Sequence, residues 1–132
     1  MERQNWDDYF LDIAKQVSTR ATCPRASVGA VIVRDRRIIS TGYNGAPAGE
    51  AHCLDIGCLM VEGHCQRAIH AETNAVAQAA RFGVATDGAT LYYWDSKERS
   101  VSGCVKCCQV MKAAGIARVV GIVHGWLEEY IP

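Results

Sequence analysis

The stretch that decides the fold is HAETNAVAQAARFGVATDGATLYYW, which runs from His70 to Trp94. Its first half is rich in alanine and closes at Gly83, the residue type that commonly follows the last turn of a helix. Its second half ends in ATLYYW, whose aromatic and β-branched residues predict a strand. The segments CVKCCQVMKAAG, closed by Gly115, and ARVVGIVH repeat the same order. Two consecutive helix-then-strand units indicate an α/β protein.

A helix and a hairpin precede these two units. Apolar residues recur at helical spacing after Asn5, a predicted N-cap, and this pattern stops before Pro24. SVGAVIV and IISTGY flank the polar RDRR, which predicts two paired strands. The order α-β-β-α-β-α-β predicts a mixed sheet covered by helices. At 132 residues, the chain is expected to form a single domain, 1–132.

The composition narrows the classes of function. Lys plus Arg equals Asp plus Glu at 14 each, so the chain lacks the positive field of a nucleic-acid binder, and a small charged ligand fits better. No apolar run approaches the roughly 20 residues of a membrane span, so no membrane partner is predicted. The balanced charge likewise predicts no nucleic-acid partner. The seven cysteines, an odd number without an export signal before them, favour metal binding or catalysis in the cytoplasm.

The spacing of two cysteines predicts a metal site. Cys104 and Cys107 are three residues apart at the start of a helix, so both thiols lie on one face near the positive helix end. Alone, this pair would fit a redox motif or half of a structural zinc site as well as it fits a catalytic site. His70 supplies a third ligand, and Zn²⁺ held by one histidine and two cysteines keeps a tetrahedral position open for chemistry. The joint pattern matches the zinc-deaminase signature and predicts a catalytic zinc site.

Glu72 follows His70 by two residues and is predicted to face the open position without ligating the metal. A carboxylate placed there can take a proton from water and deliver it to a ring nitrogen and then to a departing amine. The products would be ammonia and a carbonyl group. The sequence therefore predicts hydrolytic deamination with Glu72 as the catalytic proton carrier.

Beyond these motifs, the sequence resembles the cytidine and deoxycytidylate deaminase superfamily, most closely its deoxycytidylate (dCMP) deaminase branch. The resemblance is carried by CPRASVGAVIVRDRRIISTGYNGAPAG, GHCQRAIHAETNAVAQAARFG, GATLYY and CVKC. It implies a three-layer α/β/α fold with a central mixed sheet of about five strands, and conversion of dCMP to dUMP. It also implies a homo-oligomer, a hexamer or a dimer, with dCTP and dTTP as effectors. Mg²⁺ is expected only together with a nucleoside triphosphate effector.

The resemblance also assigns roles to single residues. It implies the same zinc ligands and the same role for Glu72. It implies that Asn44 contacts the substrate or, alternatively, an effector nucleotide, and that Ala71 contacts the substrate. Arg25 in CPRASVG is implied to meet the 5′-phosphate, which a bidentate guanidinium suits better than a lysine does. The alternative for Arg25 is an ordinary solvated arginine.

The long segment from Asn44 to Ile69 matches no regular element, although its 26 residues far exceed a usual connection of about 4–6. Some dCMP deaminases carry a second, structural zinc, and five residues of this chain could supply its four ligands: Cys23, Cys53, Cys58, His64 and Cys65. The alternative is that these are small buried thiols and an exposed histidine.

Two departures from the family pattern lie before the first zinc cysteine. Gly103 stands where relatives have proline, and the loop WDSKERSVSG is longer than theirs. Both changes border the predicted base pocket, since the proline would fix φ next to the metal. They keep two alternatives open, namely deamination of a different or modified aminated nucleotide or nucleoside, and a non-catalytic zinc-stabilised nucleotide-binding module. A deaminase acting on nucleic acid is disfavoured by the balanced charge.

Overall fold

The computed structural model of the chain describes residues 2–99 and 104–132. Helix α1 (Trp6–Ser18) begins where the Asn5 side chain accepts a hydrogen bond from the Asp8 amide, which confirms the predicted N-cap. The elements that follow are β1 (Val28–Arg34), β2 (Arg37–Tyr43), α2 (Cys53–Ile56), β3 (Met60–Val61), β4 (His64–Cys65), α3 (Ala71–Arg81), β5 (Thr90–Asp95), α4 (Val105–Ala113), β6 (Arg118–Val123) and β7 (Trp126–Tyr130).

The main sheet has five strands in the order β2-β1-β5-β6-β7. Strands β5 and β6 run parallel, and the other neighbours are antiparallel. This confirms the mixed sheet of about five strands, but the predicted order of elements missed β7. Its turn, His124–Gly125, has positive φ at both residues, as a tight hairpin turn requires. Since Trp126 and Leu127 are both exposed, the strand lacks the alternation that reveals a buried face.

Side chains of alternating direction along the strands build a separate core on each face of the sheet. On one face Val28, Ala30 and Ile32 of β1 pack with residues of α3 and α4. On the other face Val31 and Val33 pack with residues of α1. Helices therefore cover both faces, which confirms the three-layer α/β/α arrangement.

Two glycines let helices approach the sheet closely. A Cβ on Gly42 of β2 would lie 2.5 Å from the carbonyl oxygen of Ala71 in α3. A Cβ on Gly29 of β1 would lie 2.7 Å from the amide nitrogen of Ser18 in α1. Neither position has room for a side chain, so backbone atoms set the distance from each helix to the sheet. For α3 this distance fixes the height of its first turn, which carries Glu72.

The segment between β2 and α3, in which the sequence predicted no regular element, contains α2 and the β3–β4 pair. These elements are two to four residues long, too short to produce a periodic pattern. Backbone hydrogen bonds between Gly45 and Ile69, of 3.1 and 2.7 Å, join the two ends of the segment. This segment, residues 44–69, is the excursion. Its two ends are held together beside the start of α3.

Asp7, in the first turn of α1, ties this helix to the sheet. Its carboxylate accepts hydrogen bonds from both terminal nitrogens of Arg118 in β6, at 3.1 and 2.8 Å, and from the Tyr92 hydroxyl in β5, at 2.7 Å. The hydrogen bonds from Arg118 outweigh the effect of burial and hold the pKa of Asp7 below its ordinary value of 3.8.

Asp7→Asn is expected to lower the melting temperature by about 2–5 °C at pH 7, because the Arg118 guanidinium loses its charged partner. A carboxylate with a depressed folded-state pKa contributes stability above its unfolded value, and this contribution disappears as the pH falls through the folded value. The difference between variant and wild type should therefore close as the pH drops below about 3.8. Thermal unfolding at pH 7, 5 and 3 measures it, with the exposed Asp12→Asn as control. A difference that persists unchanged at pH 3 would contradict this assignment.

Candidate active site

The amino-terminal ends of α3 and α4 meet, and their capping residues carry the predicted metal ligands. His70 is the N-cap of α3, and Cys104 is the N-cap of α4. His70 Nδ1 lies 3.1 Å from Cys107 Sγ, and the Cys107 amide donates to Cys104 Sγ at 3.4 Å. One ligand atom from each of the three residues lies within 4.8 Å of the others. The structure thus brings together residues that are up to 37 positions apart.

This donor set fits zinc. One imidazole nitrogen and two thiol sulfurs are the ligands Zn²⁺ binds in catalytic sites that keep a fourth position open. The group holds no carboxylate among the described residues, so Glu72 is not part of the ligand set. Cys107 is buried, Cys104 is half-buried and His70 is exposed. The site is therefore closed by protein around Cys107 and accessible from solvent around His70.

Glu72 lies in the first turn of α3 and is 7% exposed. Burial raises the pKa of its carboxyl above the usual range, and the negative charge of Asp95 adds to this increase. A hydrogen bond with Cys107 and the charge of His70 oppose it. Burial, followed by the charge of Glu72, likewise raises the pKa of the Cys107 thiol. A nearby divalent cation would favour the ionised form of both groups.

The two predicted substrate contacts, Asn44 and Ala71, are both buried. The Asn44 amide accepts from Val28 N at 2.9 Å and donates to the Ala26 carbonyl at 2.8 Å, so it braces the chain before β1. The methyl group of Ala71 is packed in the core, so any contact of this residue with substrate must be made by its backbone atoms.

Arg25, the predicted phosphate ligand, is exposed, and its Nη1 lies 3.6 Å from the sulfur of Met60 in β3. The structure therefore directs Arg25 towards the β3–β4 pair. Sequence reasoning did not single out the ion pair between Asp95 and Arg99, which lies in the loop after β5. An acid and a base four residues apart in a polar loop give no sequence signal. Gly103, the departure from the family proline, lies outside the described residues.

A cleft of about 520 Å³ lies between β2, the turn after it and α3. Its polar groups include Asn74, which donates to the Tyr43 carbonyl at 3.0 Å, and Arg81 near the end of α3. Its lining also contains Ala46, Pro47 and Ala48 of the GYNGAPAG motif. Asn44, which the resemblance ties to nucleotide contact, lies two residues before this part of the lining.

A second group of sulfurs connects the excursion between β2 and α3 to Cys23, in the chain before β1. Thiols of Cys23, Cys53 and Cys58 lie within 4.8 Å of one another, and Cys65 Sγ lies 3.5 Å from Cys53 Sγ. Four of the five predicted ligands of a second metal are therefore neighbours. The side chain of the fifth, His64, lies outside the described residues.

The four thiols have different protonation preferences. Burial, reinforced by hydrogen bonds from Cys65 and Cys58, raises the pKa of Cys53 to about 12. Burial also acts to raise the pKa of Cys65, but hydrogen bonds to backbone groups of neighbouring residues outweigh it and lower the value to about 6. The cluster therefore already stabilises one thiolate, the form that binds metals.

Among the described residues, no helix combines the length and the apolar character that crossing a bilayer requires. None of the seven cysteines, all of which the structure describes, is in a disulfide. Cysteines outside disulfides can bind metals once they lose their protons and become thiolates.

Comparison with known proteins indicates the same kind of metal site as the geometry does. Residues 4–123 match the family model of the cytidine and deoxycytidylate deaminase zinc-binding region. ComE operon protein 2 of Bacillus subtilis is 50% identical over 119 residues, covering 90% of this chain and 60% of that protein. The chain thus spans less than two thirds of that relative. The deoxycytidylate deaminase of Mycobacterium phage D29 is 40% identical over 131 residues, covering 91% of this chain and 96% of that protein.

Among solved structures, the dCMP deaminase of cyanophage S-TIM5, in complex with dCMP and dUMP, superposes with a TM-score of 0.73. It is 25% identical, and the match covers 92% of this chain and 83% of that one. Fold, ligand geometry and sequence agree, and the chain belongs to the cytidine and deoxycytidylate deaminase family.

Proposed function

We propose that this chain catalyses the zinc-dependent hydrolysis of dCMP to dUMP and ammonia. The proposal depends on one observation, the meeting of His70, Cys104 and Cys107 beside the buried carboxylate of Glu72. It is supported by relatives named deoxycytidylate deaminase and by the neighbouring structure with dCMP and dUMP bound. A structural zinc site would have no use for a buried carboxylate outside its ligand set, which disfavours the non-catalytic binding module.

Each residue of the site has a distinct role in this reaction. His70, Cys104 and Cys107 would hold zinc, which when bound lowers the pKa of water and supplies hydroxide at neutral pH. Glu72 accepts the proton from water as oxygen adds to C4 of the cytosine ring, and delivers it to ring nitrogen N3. It then transfers the proton of the new C4 hydroxyl to the exocyclic amine, which leaves as ammonia as the C4–N bond breaks and the C4 carbonyl forms. Burial of Glu72 keeps bulk water from competing for these protons.

Ammonia release from a panel of substrates tests the proposal, with zinc content measured on the same sample. The panel contains dCMP, CMP, dCTP, deoxycytidine, methylated dCMP and an adenine and a guanine nucleotide. We expect dCMP to be preferred. Preference for another member would establish the alternative, a deaminase for a different or modified aminated compound. Zinc-loaded protein without activity on any member would favour the non-catalytic module.

The proposal includes regulation by dCTP and dTTP at the cleft between β2 and α3. The cleft is separate from the zinc ligands, is lined by the GYNGAPAG motif and has the Arg81 guanidinium available for an anion. Mg²⁺ would enter only as the counter-ion of a bound triphosphate. Adding each triphosphate to the dCMP assay, with and without Mg²⁺, checks this. Effects of opposite sign on the substrate saturation curve are expected.

The proposal also includes a second zinc held by thiolates of Cys23, Cys53, Cys58 and Cys65. The support is the proximity of these sulfurs and the lowered pKa of Cys65. Four thiolates form a closed structural site, which would join the excursion after β2 to the chain before β1. Such a site would restrict the conformations of this 26-residue segment, which has little regular structure.

We further propose a homo-oligomer, a hexamer or a dimer, in the cytoplasm. Large apolar side chains at three separate places are more than two-thirds exposed: Phe82, Val105 and Trp126. A second copy of the chain would remove such side chains from water. The thiol state of the cysteines fits a reducing compartment. Light scattering coupled to gel filtration measures the oligomer, and a purely monomeric protein would contradict it.

A further inference from the structure

The loop that follows β5 is built to return Arg99 to the end of its own strand. The carboxylate of Asp95 accepts a hydrogen bond from the Lys97 amide at 2.8 Å, and its carbonyl accepts from the Glu98 amide at 2.9 Å. Glu98 has φ of 47°, in the left-handed region, which reverses the chain. Arg99 therefore lies next to Asp95 instead of continuing along the strand direction.

The Asp95–Arg99 ion pair is strongly asymmetric in exposure. Arg99 Nε donates to Asp95 Oδ2 at 2.6 Å, and the Tyr93 hydroxyl donates to the same oxygen at 3.0 Å. The side chain of Asp95 is 0% exposed, whereas that of Arg99 is 56% exposed. The buried carboxylate thus holds the Nε edge of the guanidinium. Because more than half of the Arg99 side chain is exposed, its terminal N–H groups can bind two oxygens of an anion as a pair.

This ion pair borders the catalytic pocket. Asp95 is the register partner of Val28, whose amide is bound by Asn44. Asp95 lies on the same face of β5 as Tyr93, whose hydroxyl it binds, and Tyr93 packs in one core cluster with Ala71, the residue before Glu72. Arg99 is also five residues before the ligand Cys104. Its guanidinium therefore lies at the rim of the site that the proposed function assigns to the cytosine ring.

The other arginines near this end of the sheet are directed elsewhere. Arg25 contacts Met60, and Arg67 donates to the Gly57 carbonyl at 3.1 Å. Both side chains support the excursion between β2 and α3. Arg99 is the arginine whose fixed position, exposure and closeness to Glu72 together suit a phosphate dianion.

We infer that Arg99 binds the 5′-phosphate of the nucleotide substrate and that Asp95 is its positioning residue. The inference rests on the proposed function and deepens it. It assigns selection of a nucleoside monophosphate over the free nucleoside to Arg99, at the start of the loop that follows β5. The loop then supplies a substrate ligand in addition to connecting β5 to α4.

The test compares kcat/KM for dCMP and for deoxycytidine in wild type and Arg99→Ala. Loss of a charge-assisted contact to phosphate should lower the value for dCMP by about 10- to 100-fold. The value for deoxycytidine should change by less than about 3-fold, because that substrate lacks the phosphate. Damage to the fold or to the zinc site would lower both kcat/KM values by the same factor, so it would leave their ratio unchanged. Arg99→Lys should restore part of the ratio, since lysine keeps the charge but not the fork.

Three further variants distinguish a direct phosphate contact by Arg99 from a general effect of positive charge and from a contact made by Arg25. Lys97→Ala removes one positive charge from the same loop and should leave the ratio unchanged. Asp95→Asn keeps a hydrogen-bonding group but not its charge, and should lower the ratio less than Arg99→Ala does, mainly through KM for dCMP. Arg25→Ala tests the rival phosphate ligand.

An unchanged ratio in Arg99→Ala would overturn the inference, and so would an equal loss in Lys97→Ala or a loss confined to Arg25→Ala. If wild type turns over neither compound, the proposed function fails. In that case calorimetric binding of dCMP and deoxycytidine to the zinc-loaded protein gives the same ratio, and Arg99→Ala still decides the inference.

Discussion

Glu72→Gln is expected to reduce kcat for dCMP by at least about 10³-fold while leaving the zinc content unchanged. Glutamine keeps the size of the side chain, but it cannot carry protons between water, N3 and the departing amine. General acid–base groups contribute about 10²–10⁴-fold, and Glu72 is proposed to act in both proton transfers. The expected effect is therefore near the upper end of that range.

Zinc content by atomic absorption and ammonia release, measured on the same preparation, check this result. Glu128→Gln, on the exposed strand β7, is the matched control and should behave like wild type. Turnover that survives Glu72→Gln within 10-fold would refute the assigned mechanism. Loss of both turnover and zinc would instead show that Glu72 acts through the metal ligands.

Cys53→Ser is expected to remove one zinc per chain and to lower the free energy of unfolding by more than about 3 kcal/mol. Cys53 is 4% exposed and lies at the centre of the sulfur cluster, close to Cys58 and Cys65. A structural zinc contributes its binding energy to folding, and a serine hydroxyl is a poor substitute for a thiolate ligand. The catalytic zinc should remain, because His70, Cys104 and Cys107 form a separate group.

The matched control is Cys108→Ser, which lies outside both ligand groups and should keep both metals and most of the stability. Wild-type protein that contains one zinc per chain when saturated would refute the second site outright. Where Cys53→Ser does not fold, Cys58→Ser replaces it, since that thiol is only half-buried. Retention of two zinc ions by Cys58→Ser would also count against the site.

The sequence predicted the structure best at positions where the residue type has a single characteristic role, such as capping a helix. Asn5 caps α1, and Gly83 and Gly115 follow α3 and α4 with positive φ, each as predicted. Strand β7 was missed because its turn, His124–Gly125, lacks the usual asparagine or aspartate and its side chains are mostly exposed. The short elements after β2 were missed because elements of two to four residues produce no periodic pattern.

The same contrast holds for the site. The spacing of Cys104 and Cys107 and the His70-x-Glu72 pattern predicted a set of residues that the structure brings together, because helix starts fix side-chain direction locally. Arg99 could not be predicted in this way. Its position depends on the left-handed turn at Glu98 and on the burial of Asp95, and both are properties of the folded loop.

The close approach of helices to strands at Gly29 and Gly42 has a consequence for how this protein can diverge. Because backbone atoms set the spacing there, changes in the volume of core side chains cannot easily lift α3 away from the sheet. The Glu72 carboxylate is thereby held in place when core residues change, while the loop after β5 is under no such constraint. Substrate preference can therefore change at the rim of the pocket while the position of Glu72 stays the same.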